Sequence, residues 1–168
     1  EAYYQEFQRE ENGVYDIPRI TAGYNPTGLD LYFECTVITS IGVFNHFVHP
    51  DELFYEESKD KTWHMMKEGL QEFLKQIDSR YGWLTAVTAS ESLPYFDSYF
   101  NLDYRVLRKP DELEIHCWNY THEASFLLRS TKEVASSKDC HVQKIGDEMY
   151  FVKITGPEAH IYWKGSSL

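Results

Sequence analysis

Residues 42–51 read Gly42-Val43-Phe44-Asn45-His46-Phe47-Val48-His49-Pro50-Asp51, an apolar run closed by a glycine on one side and a proline on the other. Positions 43–48 are too few for a helix, so the run predicts a short buried strand that stops at Pro50. Upstream, Leu29, Phe33, Val37 and Ile41 recur every fourth residue, which marks one stripe of a helix ended by Gly42. Downstream, charged residues 51–61 read as a surface loop. Residues 62–81 then give the strongest helical pattern in the chain. Trp63, Met66, Leu70, Phe73, Leu74 and Ile77 line one face, Lys67, Glu68, Glu72 and Lys75 the other, and Gly82 follows as a cap. Residues 84–88 read as a second strand and 90–100 as a short helix opened by Ser90. Strand, loop, helix, strand, helix is the rhythm of a βα-type sheet or barrel.

Further out, residues 4–20 predict a hairpin, with Asn12-Gly13 supplying the positive φ angles of a type I′ turn between 5–9 and 14–20. Pro18 ends its second strand or holds it at an edge. Residues 21–28 carry turn chemistry and read as a loop. Past Asp103 the rhythm changes. Segments 104–108, 113–118, 125–129, 140–145, 149–155 and 160–164 are strand-length and alternate in polarity. Turn signals such as Lys109-Pro110-Asp111 and Gly156-Pro157 separate them. This spacing predicts a small antiparallel β-sandwich over 104–168 behind an α/β region over 1–103, with the boundary between 101 and 111.

Composition narrows the function classes. The 168 residues carry a formal net charge of −11, without the Lys/Arg clusters whose counterion release drives nucleic-acid binding. No apolar run approaches the 18 or more residues of a transmembrane helix. Aromatic content is 16%, which suits either a β-rich core or a surface that stacks on sugars. The three cysteines, Cys35, Cys117 and Cys140, exclude a disulfide framework. Cys117 and Cys140 either pair or stand as two free thiols.

His46 and His49 are three apart where the predicted strand meets Pro50. In a regular strand such residues face opposite sides, so they converge only if the chain bends between them, and Pro50 favours a bend. Two neutral imidazoles with Asp51 as the carboxylate would suit zinc or a similar divalent ion; otherwise His46 is a hydrogen-bonded core residue and His49 opens a loop. Arg19, at a predicted strand end, either orients a carboxylate or is a surface arginine. Thr88 and Glu91 either contact substrate or belong to a helix start, with Ser90 as its cap. His116, His122, His141 and His160 read as surface or cross-strand residues.

Residues 17–24 (Ile-Pro-Arg-Ile-Thr-Ala-Gly-Tyr), the 42–51 run, Trp63 and Thr88-Ala89-Ser90-Glu91 together resemble a bacterial polysaccharide deacetylase-like family. That family is related to the deacetylase domain of the Pel exopolysaccharide protein. The resemblance covers roughly residues 1–100, and it implies a metal-dependent hydrolase of the extracellular space or cell envelope that removes N-acetyl groups from an amino-sugar polymer. It implies a partial (β/α) barrel, zinc held by His46 and His49, and catalytic roles for Arg19 and Asp51. Substrate contacts would fall to Thr88 and Glu91. The early Asp-Asp strand of that family has no counterpart here, since Asp16 and Asp30 are isolated, so the resemblance implies either the C-terminal part of such a domain or a degenerate relative of it. The other reading is a non-catalytic module of a cell-surface protein that binds glycans or a partner.

Overall fold

The computed structural model describes residues 7–165, which fall into two compact units divided between Thr85 and Ala86. The first unit holds β1 (Gln8–Arg9), β2 (Tyr15–Asp16), β3 (Thr21–Ala22), α1 (Gly28–Ser40), β4 (His46–Phe47) and α2 (Trp63–Tyr81). The second holds α3 (Ala89–Asn101) and seven strands: β5 (Asp103–Arg108), β6 (Glu112–Trp118), β7 (Ala124–Arg129), β8 (Val134–Lys138), β9 (Cys140–Gly146), β10 (Met149–Ile154) and β11 (Glu158–Trp163). Helix α3, which sequence pattern groups with the α/β region, thus belongs with the strands and packs against β7.

In the first unit β3 and β4 pair in parallel, Thr21 opposite His46 and Ala22 opposite Phe47, and α1 connects them. This is a βαβ unit of the smallest kind. The strand expected over 43–48 is only two residues long, and the expected loop contributes β3. Residues 84–88 form no strand. Among the described residues there is no closed barrel; the sheets have two, two, three and four strands.

The predicted hairpin is present, with Gln8 opposite Asp16 and Arg9 opposite Tyr15. Its turn is not type I′. Only Gly13 has a positive φ (81°), and the Gly13 amide bonds to the Glu10 carbonyl at 2.9 Å, so a single left-handed residue closes a longer loop. Gln5 and Glu6 of the expected first arm lie outside the described residues.

Helix α1 buries a different face from the one its apolar stripe suggests. Leu29 and Phe33 are exposed, whereas Glu34 and Ile38 are buried. The helix is apolar nearly all round, so periodicity alone did not select a side. Thr27 and Asp30 cap it reciprocally, the Thr27 amide donating to Asp30 Oδ2 at 2.6 Å. Helix α2 starts at the cap Thr62 and packs Phe73 and Ile77 against Ile38, with Leu31, Phe44, Tyr81, Trp83 and Leu84 around them. The predicted loop over 51–61 is two short 3-10 helices, Pro50–Phe54 and Glu56–Ser58.

The second unit consists of two antiparallel sheets, ordered β5-β6-β11-β8 and β7-β10-β9. Leu113, Ile115 and Cys117 of β6, Tyr150, Val152 and Ile154 of β10, and Ala159, Ile161 and Trp163 of β11 form one core with Leu128 and Cys140. Strict alternation explains this: the intervening Glu112, Glu114, His116, Glu158 and His160 point away from that core. Each fully buried aliphatic or aromatic chain there contributes on the order of 1.5–3 kcal/mol. Strand β8, Val-Ala-Ser-Ser-Lys, is exposed and polar, pairs only along β11, and gives no alternating signal in the sequence. Cys35, Cys117 and Cys140 are all free thiols.

Candidate functional site

The parallel register of β3 and β4 brings Thr21 and His46 side by side, and the Thr21 hydroxyl lies 2.7 Å from His46 Nδ1. The same hydroxyl makes a short hydrogen bond to Glu34 Oε1, which reaches it from the buried face of α1. The other imidazole nitrogen, Nε2, stands 2.7 Å from the Gly23 carbonyl oxygen. Phe73 and Phe44 pack on the imidazole, with ring centroids 5.0 and 6.4 Å away.

Donor and acceptor chemistry limits how Thr21 can bridge the two groups. A carbonyl only accepts, so Nε2 carries a hydrogen. If His46 is neutral, Nδ1 accepts from Thr21, and the Thr21 oxygen must take its own hydrogen bond from a protonated Glu34. If Glu34 is ionised, Thr21 donates to the carboxylate and no longer to His46 Nδ1. Either way the single Thr21 hydroxyl links Glu34 to His46. Glu34 is fully buried, and burial pushes its carboxyl up to about 7; hydrogen bonds from Thr21 and the Asn45 backbone pull it down, and Asp30 pushes it further up. Its second oxygen, Oε2, is buried without a hydrogen-bond partner.

Beyond the end of β4 the surface changes character. Pro50 fits the first position of a 3-10 turn, where its missing N–H costs nothing, and His49 caps that turn. The turn swings Asp51 back, so that Asp51 Oδ1 lies 3.7 Å from His49 Nδ1, with both side chains open to solvent (44% and 65%). Glu52 Oε1 accepts the His49 backbone N–H at 3.2 Å. The imidazole meets the Phe47 ring edge to face at 4.4 Å, and the Arg19 guanidinium lies 4.7 Å over that same ring. Arg19, Phe47, His49 and Asp51 therefore form one group around β4, with Arg19 and Asp51 exposed and Phe47 and His49 half-buried.

The turn at Pro50 sets Asp51 near His49 but does not bring His46 and His49 together, since both nitrogens of His46 are engaged by Thr21 and Gly23. Among the described residues, the one group of three side chains whose ligand atoms approach within 4.8 Å of one another is Glu112, Glu114 and His160, not the expected pair with Asp51. As arranged, His46, His49 and Asp51 do not fit a shared zinc ion. Thr88 and Glu91 lie in the second unit as the reciprocal cap of α3: the Thr88 amide and hydroxyl both donate to Glu91 Oε2 at 2.8 Å, and the Glu91 amide bonds to Thr88 Oγ1 at 3.3 Å. The backbone and hydroxyl of Thr88 hold the Glu91 carboxyl below its ordinary range. The cap is Thr88 rather than Ser90, whose position lies inside the helix.

Sequence reading passed over Thr21 and Glu34. One signal was present: Glu34 is the sole charge between Leu31 and Ile41, on a helix that is otherwise apolar. A lone carboxylate in such a segment needs a buried partner.

The chain belongs to a family described as uncharacterised proteins conserved in bacteria (DUF2194), whose profile matches residues 1–151 and so runs through the first unit and most of the second. No curated protein and no solved structure matches it. No helix among the described residues is long and apolar enough to cross a membrane.

Proposed function

We propose that this chain is part of a bacterial hydrolase of the polysaccharide deacetylase type, acting on an N-acetylated amino-sugar polymer in the cell envelope or outside the cell, with His49 and Asp51 as its acid–base pair. The observation that carries this reading is the His49–Asp51 pair itself, 3.7 Å apart and open to solvent just beyond the parallel strand β4. Strand C-terminal ends are where βα folds place their chemistry. Asp51 places a carboxylate beside Nδ1, and Nε2 makes no hydrogen bond within the described residues.

In this reading the first unit is part of a barrel and the two sheets of the second unit are a small sandwich that follows it in the sequence. A water gives its proton to His49 Nε2 as its oxygen bonds to the acetyl carbonyl carbon. Arg19, 4.7 Å over the neighbouring Phe47 ring, offers positive charge to the resulting oxyanion. His49 then returns the proton to the amide nitrogen as the C–N bond breaks, leaving acetate and a free amine. The experiment is acetate release from an N-acetylated amino-sugar oligomer by the wild-type chain, His49→Ala and Asp51→Asn. Release that falls at least about 100-fold in both variants supports the reading; no release from the wild type contradicts it.

A second reading, a module that binds glycans or a partner, draws on Trp118, which is 54% exposed at the end of β6. Trp163, at the end of β11, is buried in the core and cannot contribute a stacking face. Glycan binding that survives His49→Ala and is lost in Trp118→Ala would favour this reading.

A further inference from the structure

The outward face of the four-stranded sheet gathers a second set of titratable groups, remote in sequence from the 42–51 run. Glu112 and Glu114 alternate along β6, so both point to the same side, and the antiparallel register places His160 of β11 directly opposite Glu114. All three side chains are largely buried, with 18%, 12% and 20% of their surface exposed. Their ligand atoms lie within 4.8 Å of one another. His116, next on the same face, sets Nε2 3.2 Å from Glu114 Oε2.

Two independent features mark this as a place for a cation. The Nδ1 atom of His160 is shut off from solvent and makes no hydrogen bond; its nearest charged neighbour is Glu112 Oε2 at 3.5 Å. A buried ring nitrogen without a partner is unusual and calls for a proton or a metal. In addition, the carboxylates already hold a cation, the ammonium of Lys109, which lies 2.7 Å from Glu112 Oε1 and closer still to Glu114 Oε1. Lys109 comes from the β5–β6 turn on a flexible stem that is about half exposed, so it can leave without disturbing either strand.

We propose that Glu112, Glu114 and His160 form a divalent-cation site, with Lys109 as a tethered cation that a metal displaces. Residues at i and i+2 on one strand and a third on its neighbour present two carboxylate oxygens and one imidazole nitrogen to one side of an ion. That set suits zinc and leaves room for His116 or water as a fourth ligand. The metal takes over the charge that Lys109 now neutralises and occupies the unpartnered Nδ1.

The test is calorimetric titration of the full chain with zinc alone. Wild type binds one ion at this site, His160→Ala weakens binding at least about tenfold, and Lys109→Met strengthens it because the competing ammonium is gone. His160 and Lys109 both lie outside the core, so the two variants fold, and their circular dichroism should overlay on the wild type. The proposal is overturned if zinc does not bind, if His160→Ala binds as tightly as the wild type, or if Lys109→Met leaves affinity unchanged or lower. The last result would assign the cluster to a closed ion-pair network that serves the sheet alone.

Discussion

Thr21 and His46 stand opposite each other in the parallel β3–β4 pair, hydroxyl to Nδ1 at 2.7 Å, with Glu34 bonded to the far side of that hydroxyl. Two ionisable groups on different elements are thereby joined through one short side chain. Because Thr21 has a single proton to give, it can donate to Glu34 or to His46 Nδ1 but not to both.

Stability should consequently depend on pH through Glu34. Its carboxyl ordinarily titrates near 4.5 and is raised to about 7 in the folded chain. The fold therefore favours the protonated form. The contribution is fully present below about 4.5 and is lost as pH rises through 7, amounting to on the order of 3 kcal/mol. Urea unfolding at pH 5 and pH 8 should show this loss in the wild type. Glu34→Gln, which keeps a neutral donor against Thr21, should match the wild type at pH 5 and exceed it at pH 8.

Replacing Thr21 by Val keeps the shape but removes the bridge. A buried carboxyl and a ring nitrogen then lose their partner, which should cost about 1–3 kcal/mol for each group left unsatisfied. Thr21→Ser retains the hydroxyl and should cost far less. The comparison is read from denaturation midpoints, with the Nδ1 resonance of His46 by 15N NMR reporting whether the bridge persists.

Gly69 offers a test of packing in the first unit. In the middle of α2 an alanine would ordinarily stabilise by up to about 1 kcal/mol. Here a Cβ at Gly69 would lie 2.7 Å from the Tyr24 carbonyl oxygen and 2.8 Å from Asn25 Oδ1. Backbone cannot move aside cheaply, so Gly69→Ala should destabilise by about 1–3 kcal/mol, measured by thermal unfolding.

Much of the second unit was legible because alternation is strict. Leu113, Ile115 and Cys117, and Tyr150, Val152 and Ile154, each skip one residue and so share a face. β8 escaped because Val134–Lys138 carries no apolar alternation; only its partner β11 defines it. In the first unit α2 was plain from its amphipathic face. The buried face of α1 was not, since that depends on Glu34 finding Thr21 across 13 positions, a tertiary choice no local period encodes. The site was legible in part. Pro50 does turn the chain and set Asp51 beside His49, but the partners of His46, a hydroxyl on β3 and a carbonyl at Gly23, carry no spacing signal. The Glu112, Glu114 and His160 group depends on strand register in the same way.

The central claim is that His49, with Asp51 beside it, moves the proton in amide hydrolysis. The most direct measurement is the rate of acetate release from an N-acetylated amino-sugar oligomer by His49→Ala set beside the wild type, with circular dichroism confirming that both are folded. The claim predicts measurable release by the wild type and a loss of at least about 100-fold in the variant. Equal release from both, or none from the wild type, would contradict it.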